Sequence, residues 1–294
     1  MSDQAATLRG MVGQHHHYAK VVTFASGKGG VGKSNIIVNV AIALAGLDLK
    51  IALFDMDLGL ANIDILLGMT PHHNLSHVMA GQKSLTDIIL PGPNNVMIIP
   101  GASGVSRLAN LKEQERATLI ESFAEIEARA DLLLVDTGAG ISDNVLQFAL
   151  ASQVLVVVTT PEPTARMDAY ALIKTVHRMS EGALPIQVIV NGVASKSEAE
   201  QVFQSLLAVC ERHLSNHPQF LGFVPQDPAI PKAVKKRRPF LLNNPGSPAA
   251  RAVVDLAAEM RRVLLPTGSN AAAPRVANSF FARLFSLFSS RSPQ

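Results

Sequence analysis

A doubly wound α/β fold, with a mostly parallel sheet and helices on both faces, is predicted by three observations. Seven short runs rich in leucine and β-branched residues recur along the chain, longer segments with helical spacing separate them, and a glycine-rich stretch joins the first run to the first helix. The runs Val21–Ala25, Ile51–Phe54, Val96–Ile99, Leu132–Val135, Val154–Val158, Ile186–Val190 and Phe220–Val224 are nearly continuously apolar. Strands buried on both faces read this way. Between them, Asn35–Ala45, Glu113–Ala128, Thr164–Met179 and Glu198–His213 carry helical periodicity.

Composition narrows the class. The 294 residues are 48% hydrophobic, enough for a sizeable core, and the net charge of +3 does not by itself indicate nucleic-acid binding. A local basic run, Lys232, Lys235, Lys236, Arg237 and Arg238, accounts for part of the excess and reads first as a solvated face, with membrane, partner and DNA contact left open. One cysteine, Cys210, excludes an internal disulfide and a cysteine-held cluster, which suits a reducing compartment. The His15–His17 tract lacks carboxylate or cysteine neighbours and reads as linker. With a polar start and no run of ~18 apolar residues, the expected location is the cytoplasm. The expected organisation is a polar segment 1–18, an α/β domain 19–264, a Pro/Ala/Ser/Gly-rich linker 265–275 and a helix 276–290.

The chemistry concentrates after the first strand. Gly27-Lys28-Gly29-Gly30-Val31-Gly32-Lys33-Ser34 fits G-x-x-x-x-G-K-[ST] in the order strand, loop, helix. Such a loop, here Gly27 to Asn35 with Val31 inside it, turns backbone N–H groups onto phosphates at a helix N-terminus. Lys33 reaches the β and γ phosphates, and the Ser34 hydroxyl holds Mg²⁺. Three carboxylates end apolar runs, at the edge where open α/β sheets bind ligands. Asp136 has the context of an aspartate supporting Mg²⁺, Asp57 that of a group orienting the attacking water, and Asp55 that of an outer metal ligand; strand-end roles remain open for all three.

Lys28 has no generic reason to be lysine. The stretch Lys28 to Ser34 resembles the deviant Walker A signature of the MinD/ParA ATPases, a resemblance that implies ATP-joined homodimers in which this lysine reaches the partner's nucleotide. It further implies that Asn191, in Asn191-Gly192-Val193-Ala194, contacts adenine and that the turn Pro225-Gln226-Asp227 closes over the base. No Asn-Lys-x-Asp guanine reader occupies the Asn191 segment.

Within that group, Asp55 to Gly68, Pro100 to Gly104, Glu162-Pro163-Thr164 and Asp168 to Lys174 resemble the FlhG/FleN (YlxH) regulators of flagellar number, over roughly residues 20–262. Asp3-Gln4-Ala5-Ala6-Thr7-Leu8-Arg9 is similar to that family's N-terminal segment, which implies a contact through Asp3, Gln4, Ala5, Leu8 and Arg9 with the GTPase FlhF. The resemblance also implies a flagellar transcription regulator or switch-complex protein as partner. Cell-division MinD and DNA-binding ParA proteins are the rival readings.

In the tail, Phe280, Phe281, Leu284, Phe285 and Phe288 recur at three- and four-residue intervals, flanked by Arg275, Arg283 and Arg291. The stripe predicts a helix lying in an anionic membrane at the inner face of the cell membrane. Packing against the protein's own core is the competing reading.

Overall fold

The computed structural model describes residues 18–57, 62–101, 113–265 and 279–289. The N-terminal segment with Asp3, Gln4, Ala5, Leu8 and Arg9, and the linker from residue 266 onward, lie outside the described residues. The eight strands are β1 (Lys20–Ser26), β2 (Ile51–Met56), β3 (Leu90–Pro91), β4 (Met97–Ile99), β5 (Leu132–Ala139), β6 (Val154–Thr159), β7 (Ile186–Val193) and β8 (Gln219–Pro225). They form one sheet in the order β3-β4-β2-β5-β1-β6-β7-β8. All neighbours are parallel except β3 and β4.

The expected doubly wound architecture is present, and the apolar runs are its strands. The two-residue edge strand β3 escapes sequence reading because two residues carry no period.

One face is covered by α1 (Lys33–Ala45) and, later in the chain, α11 (Pro248–Leu264). The first is apolar all round, with Ile36, Ile37, Val38, Val40, Ile42 and Leu44 all buried, because it is sandwiched between the sheet and α11. By contrast α11 presents one stripe, Ala249, Val253, Leu256, Ala257, Met260 and Leu264, to the core. Short helices fill the links: α2 (Ile63–Leu67), α3 (Leu75–Met79), α4 (Leu85–Ile88), α9 (Ala229–Lys235) and α10 (Phe240–Asn243). The opposite face carries α5 (Glu113–Arg129), α6 (Asp143–Ala151), α7 (Pro163–Met179) and α8 (Lys196–Glu211).

The last helix, α12 (Phe280–Ser289), is packed in this structure as the competing reading has it, with its apolar stripe turned inward. Phe280, Phe281, Leu284 and Phe285 are buried in the domain's own core, and Phe288 packs against it partly buried. The Phe281 ring stacks on Phe123 of α5 with centroids 3.3 Å apart and lies 5.7 Å from Phe54 of β2. Phe280 faces Phe148 of α6 at 6.4 Å. The physical reason is a vacancy in the layer: α5 and α6 leave a strip of β2, β4 and β5 uncovered, and an aromatic face at helical spacing fills it. No helix among the described residues is long and apolar enough to cross a membrane.

Candidate nucleotide-binding site

The phosphate loop leaves β1 at the centre of the sheet, where β5 and β6 flank it. Its backbone needs glycine at two positions for different reasons. Gly32 caps α1 with φ 88°, a left-handed conformation, and a Cβ there would meet Asn191 Nδ2 at 2.4 Å. A Cβ on Gly27 would lie 2.2 Å from the backbone of Asp168 in α7. The loop is therefore pressed between the start of α7 and the end of β7.

Hydrogen bonds fix that position. Asn191 Nδ2 donates to the Val31 carbonyl at 2.8 Å, the Ser26 hydroxyl to the Lys28 carbonyl at 3.0 Å, and the Thr137 hydroxyl to the Phe24 carbonyl at 2.9 Å. Asn191 thus props the loop from the side where the resemblance puts the adenine. The residue chain Gly27, Lys28, Gly29, Gly30, Val31, Gly32, Lys33, Ser34 and Asn35 runs from β1 into α1 as the motif requires.

Lys33 and Asp136 form a buried ion pair, with Lys33 Nζ on Asp136 Oδ1 and the Ser34 hydroxyl 3.5 Å from the same Nζ. Asp136 is fully buried, and its second oxygen, Oδ2, has no hydrogen-bond partner. Burial pushes its carboxyl upward, and Lys33 opposes that shift. An orphaned buried carboxylate oxygen beside a serine hydroxyl and a phosphate loop is what an Mg²⁺ nucleotide site leaves when viewed without its ligand. The residues present fit that group.

The other lysine of the loop is held in the opposite direction. Lys28 Nζ lies 2.7 Å from Glu162 Oε2 and 3.1 Å from the Thr164 hydroxyl, at the start of α7. The sequence marks Glu162 and Thr164 only as part of a family-like block; this pairing is long-range and has no local signal. Both partners are substantially exposed, so the pair positions Lys28 more than it stabilises the fold.

The remaining carboxylates divide. A Cβ on Gly138 would lie 3.6 Å from Asp57 Oδ1, which places the Asp57 carboxylate over the exit of β5, beside the phosphate loop. Asp55 faces Asp136 in strand register, yet its own oxygens are taken by backbone: Oδ1 accepts from Asp57 N at 3.1 Å, and Oδ2 from Asn62 N and Ile63 N at 3.2 Å each. Asp55 thus caps α2 and pins the loop after β2. Burial and the neighbouring Asp136 push its carboxyl up to about 7.

Asp227 is held from two sides. Its Oδ1 accepts from Ala229 N at 2.8 Å and Oδ2 from Ala249 N at 3.0 Å, joining the starts of α9 and α11. Burial alone would raise its carboxyl; the amides of Ala249 and Ala229, with the Ser247 hydroxyl and Arg251, together outweigh burial and hold it low. The carboxylate caps both helices, while Pro225 ends β8 beside Val193.

Comparison with known proteins agrees with this geometry. Residues 17–261 match the ParA family described as NUBPL iron-transfer P-loop NTPase. The iron-transfer part has no cysteine pair here, since Cys210 is the only cysteine. The chain is 40% identical over 250 residues to the antiactivator FleN of Pseudomonas aeruginosa, covering 85% of this chain and 89% of that protein. It is 32% identical over 220 residues to the flagellum site-determining protein YlxH of Helicobacter pylori, covering 74% of each. Its fold matches the septum site-determining protein MinD of Pyrococcus horikoshii, solved in complex with Mg-ADP, with a TM-score of 0.67 at 25% identity over 84% of this chain and 97% of that one. A deviant phosphate loop with two lysines tethered to opposite sides, on a sheet and sequence shared with these proteins, makes the chain a member of the FlhG/FleN (YlxH) family of MinD/ParA-type P-loop NTPases.

Proposed function

We propose that this protein is an ATP-driven switch that binds and slowly hydrolyses ATP to ADP and phosphate, forms an ATP-dependent homodimer, and regulates the number and placement of flagella from the inner face of the cell membrane. The observation that carries the nucleotide half is the buried Lys33–Asp136 pair with its free Oδ2. Mg²⁺, held by Ser34 and Asp136, would neutralise charge on the β and γ phosphates. Lys33 binds those phosphates, the loop amides orient them, and Asp57 positions the attacking water and takes up its proton. Asn191 supports adenine over guanine, with Pro225 beside it.

Dimerisation is supported by apolar side chains around the same sheet edge. Ile65 in α2, Ile141 after β5 and Met167 in α7 are 52%, 51% and 74% exposed. Lys28 would exchange Glu162 for the partner's nucleotide when two such edges meet. Membrane residence requires α12 to leave its groove, since its apolar face cannot serve core and lipid at once. The names of the relatives, an antiactivator and a flagellum site-determining protein, support the flagellar half, with a transcription regulator or switch component and FlhF as partners. A cell-division MinD role and a DNA-partition role predict instead a division phenotype or salt-steep DNA binding. Counting flagella in a deletion strain decides among the three; an unchanged count removes the flagellar reading.

Asp57→Ala tests the enzymatic half. ATP binding is retained, turnover falls by at least about 100-fold, and dimers accumulate in sedimentation velocity with ATP. Wild-type turnover in that variant would remove Asp57 from the reaction.

A further inference from the structure

Strand β5 breaks register with β1 just after Asp136. Phe24 pairs with Asp136, but Ser26 pairs with Ala139, so two steps along β1 are met by three along β5. On its other side β5 stays in register with β2 through Thr137, which pairs with Met56. Bulges are rare between parallel strands, and beside active sites they re-aim the chain. Here the re-aimed stretch contains Gly138, where a Cβ would lie 3.6 Å from Asp57 Oδ1. A buried side chain ties this bulge to β1. The Thr137 hydroxyl lies 2.9 Å from the Phe24 carbonyl across the break and 3.0 Å from the Gly138 carbonyl on its own strand. With one proton to donate, it shares that bond between the two carbonyls. The strands rejoin where Gly140 N donates to the Ser26 carbonyl at 2.8 Å. Elsewhere the bulge borders a cavity of about 320 Å³ lined by Met56, Asp57, Ser142, Asn144 and Phe148, so its tie to β1 bears directly on where Gly138 stands.

We propose that Thr137 is a positioning residue for hydrolysis, its hydroxyl holding the β5 bulge so that Gly138 and the Asp57 carboxylate beside it keep the geometry that orients the attacking water. This rests on the role given to Asp57 above. The hydroxyl is spent on main-chain carbonyls, so it acts on the reaction only through Gly138 and Asp57. Lys33, Ser34 and Asp136 stand before the break, and Asp136 is in register with both of its neighbouring strands. Loss of the hydroxyl therefore leaves the phosphate and Mg²⁺ groups in place and displaces the group that acts on water, which separates turnover from binding.

Thr137→Val keeps the shape of the side chain and removes the donor. In the full chain its kcat for ATP falls by roughly tenfold or more, KM stays within about twofold of wild type, and ATP-dependent dimers still form. Thr137→Ser, which returns the hydroxyl, recovers most of the rate. Hydrogen exchange of the nucleotide-free protein, followed by NMR, reads the tie without any chemistry: the Gly140 amide exchanges at least about tenfold faster in Thr137→Val than in wild type or Thr137→Ser. Wild-type turnover in Thr137→Val, a loss confined to KM, a Thr137→Ser no faster than Thr137→Val, or an unchanged Gly140 amide each overturns the proposal. Should Thr137→Val fail to fold, Thr137→Ala, which removes the hydroxyl without setting a methyl against the Phe24 carbonyl, takes its place in every measurement. A wild type that binds Mg-ATP and never hydrolyses it overturns the enzymatic reading and the catalytic purpose of Thr137 with it, and the Gly140 amide then decides alone whether the hydroxyl holds the bulge.

Discussion

Lys33→Ala lowers ATP affinity by at least about 100-fold, because the charge-assisted contact to the β and γ phosphates is made in a buried site where water does not replace it. The side chain is 6% exposed and Asp136 is fully buried, so the substitution also strands a carboxylate in the core. Breaking a buried pair from one side costs about 3–5 kcal/mol before relaxation. Here proton uptake relieves part of it, since burial already favours the protonated acid. Titration calorimetry with Mg-ATP and a melting curve in the absence of nucleotide measure the two effects separately. Unchanged affinity would refute the assignment of the loop.

Phe281→Ala has the largest expected effect on stability. The ring stacks on Phe123, both rings lie against Phe54, and it is fully buried. Truncating a buried phenylalanine costs about 3–5 kcal/mol when the site does not collapse. The loss is capped by the free energy that holds α12 in place, because undocking one helix is easier than unfolding the domain. A melting temperature lower by roughly 5–10 °C, with β1 amides still protected and α12 amides exchanging freely, is the expected result. An unshifted melting temperature would mean that α12 contributes nothing to the core.

The same helix shows where sequence reading stops. Phe280, Phe281, Leu284 and Phe285 announce a helix and its apolar face, but the stripe that would enter a lipid surface is the stripe that fills a groove. What covers it depends on the strip left bare by α5 and α6, a property of the assembled layers. The phosphate loop was legible for the opposite reason: strand, glycines, Lys33, Ser34 and helix are contiguous, so the motif contains its own structural context. Asp136 and Asp57 were legible as residues ending apolar runs. Asp227 was not, because one of its two partners is Ala249, 22 residues away in a helix whose start only the fold brings near. Glu162 likewise meets Lys28 across 134 residues.

That last contact, with its counterpart on the other side of β1, bears on how a ligand enters. Lys33 is matched by Asp136 from β5, and Lys28 by Glu162 just past β6, so these four formal charges sum to zero. The loop is therefore no idle positive trap for passing anions. Entry at Lys33 is then a displacement, in which phosphate oxygens must replace the Asp136 carboxylate. The phosphates bound by this chain would replace Asp136 at Lys33, and on the proposed dimer those of the second subunit would replace Glu162 at Lys28. Charge matching at the loop thus makes each lysine answer to an arriving phosphate, and Lys28 to a second subunit as well on the proposed dimer.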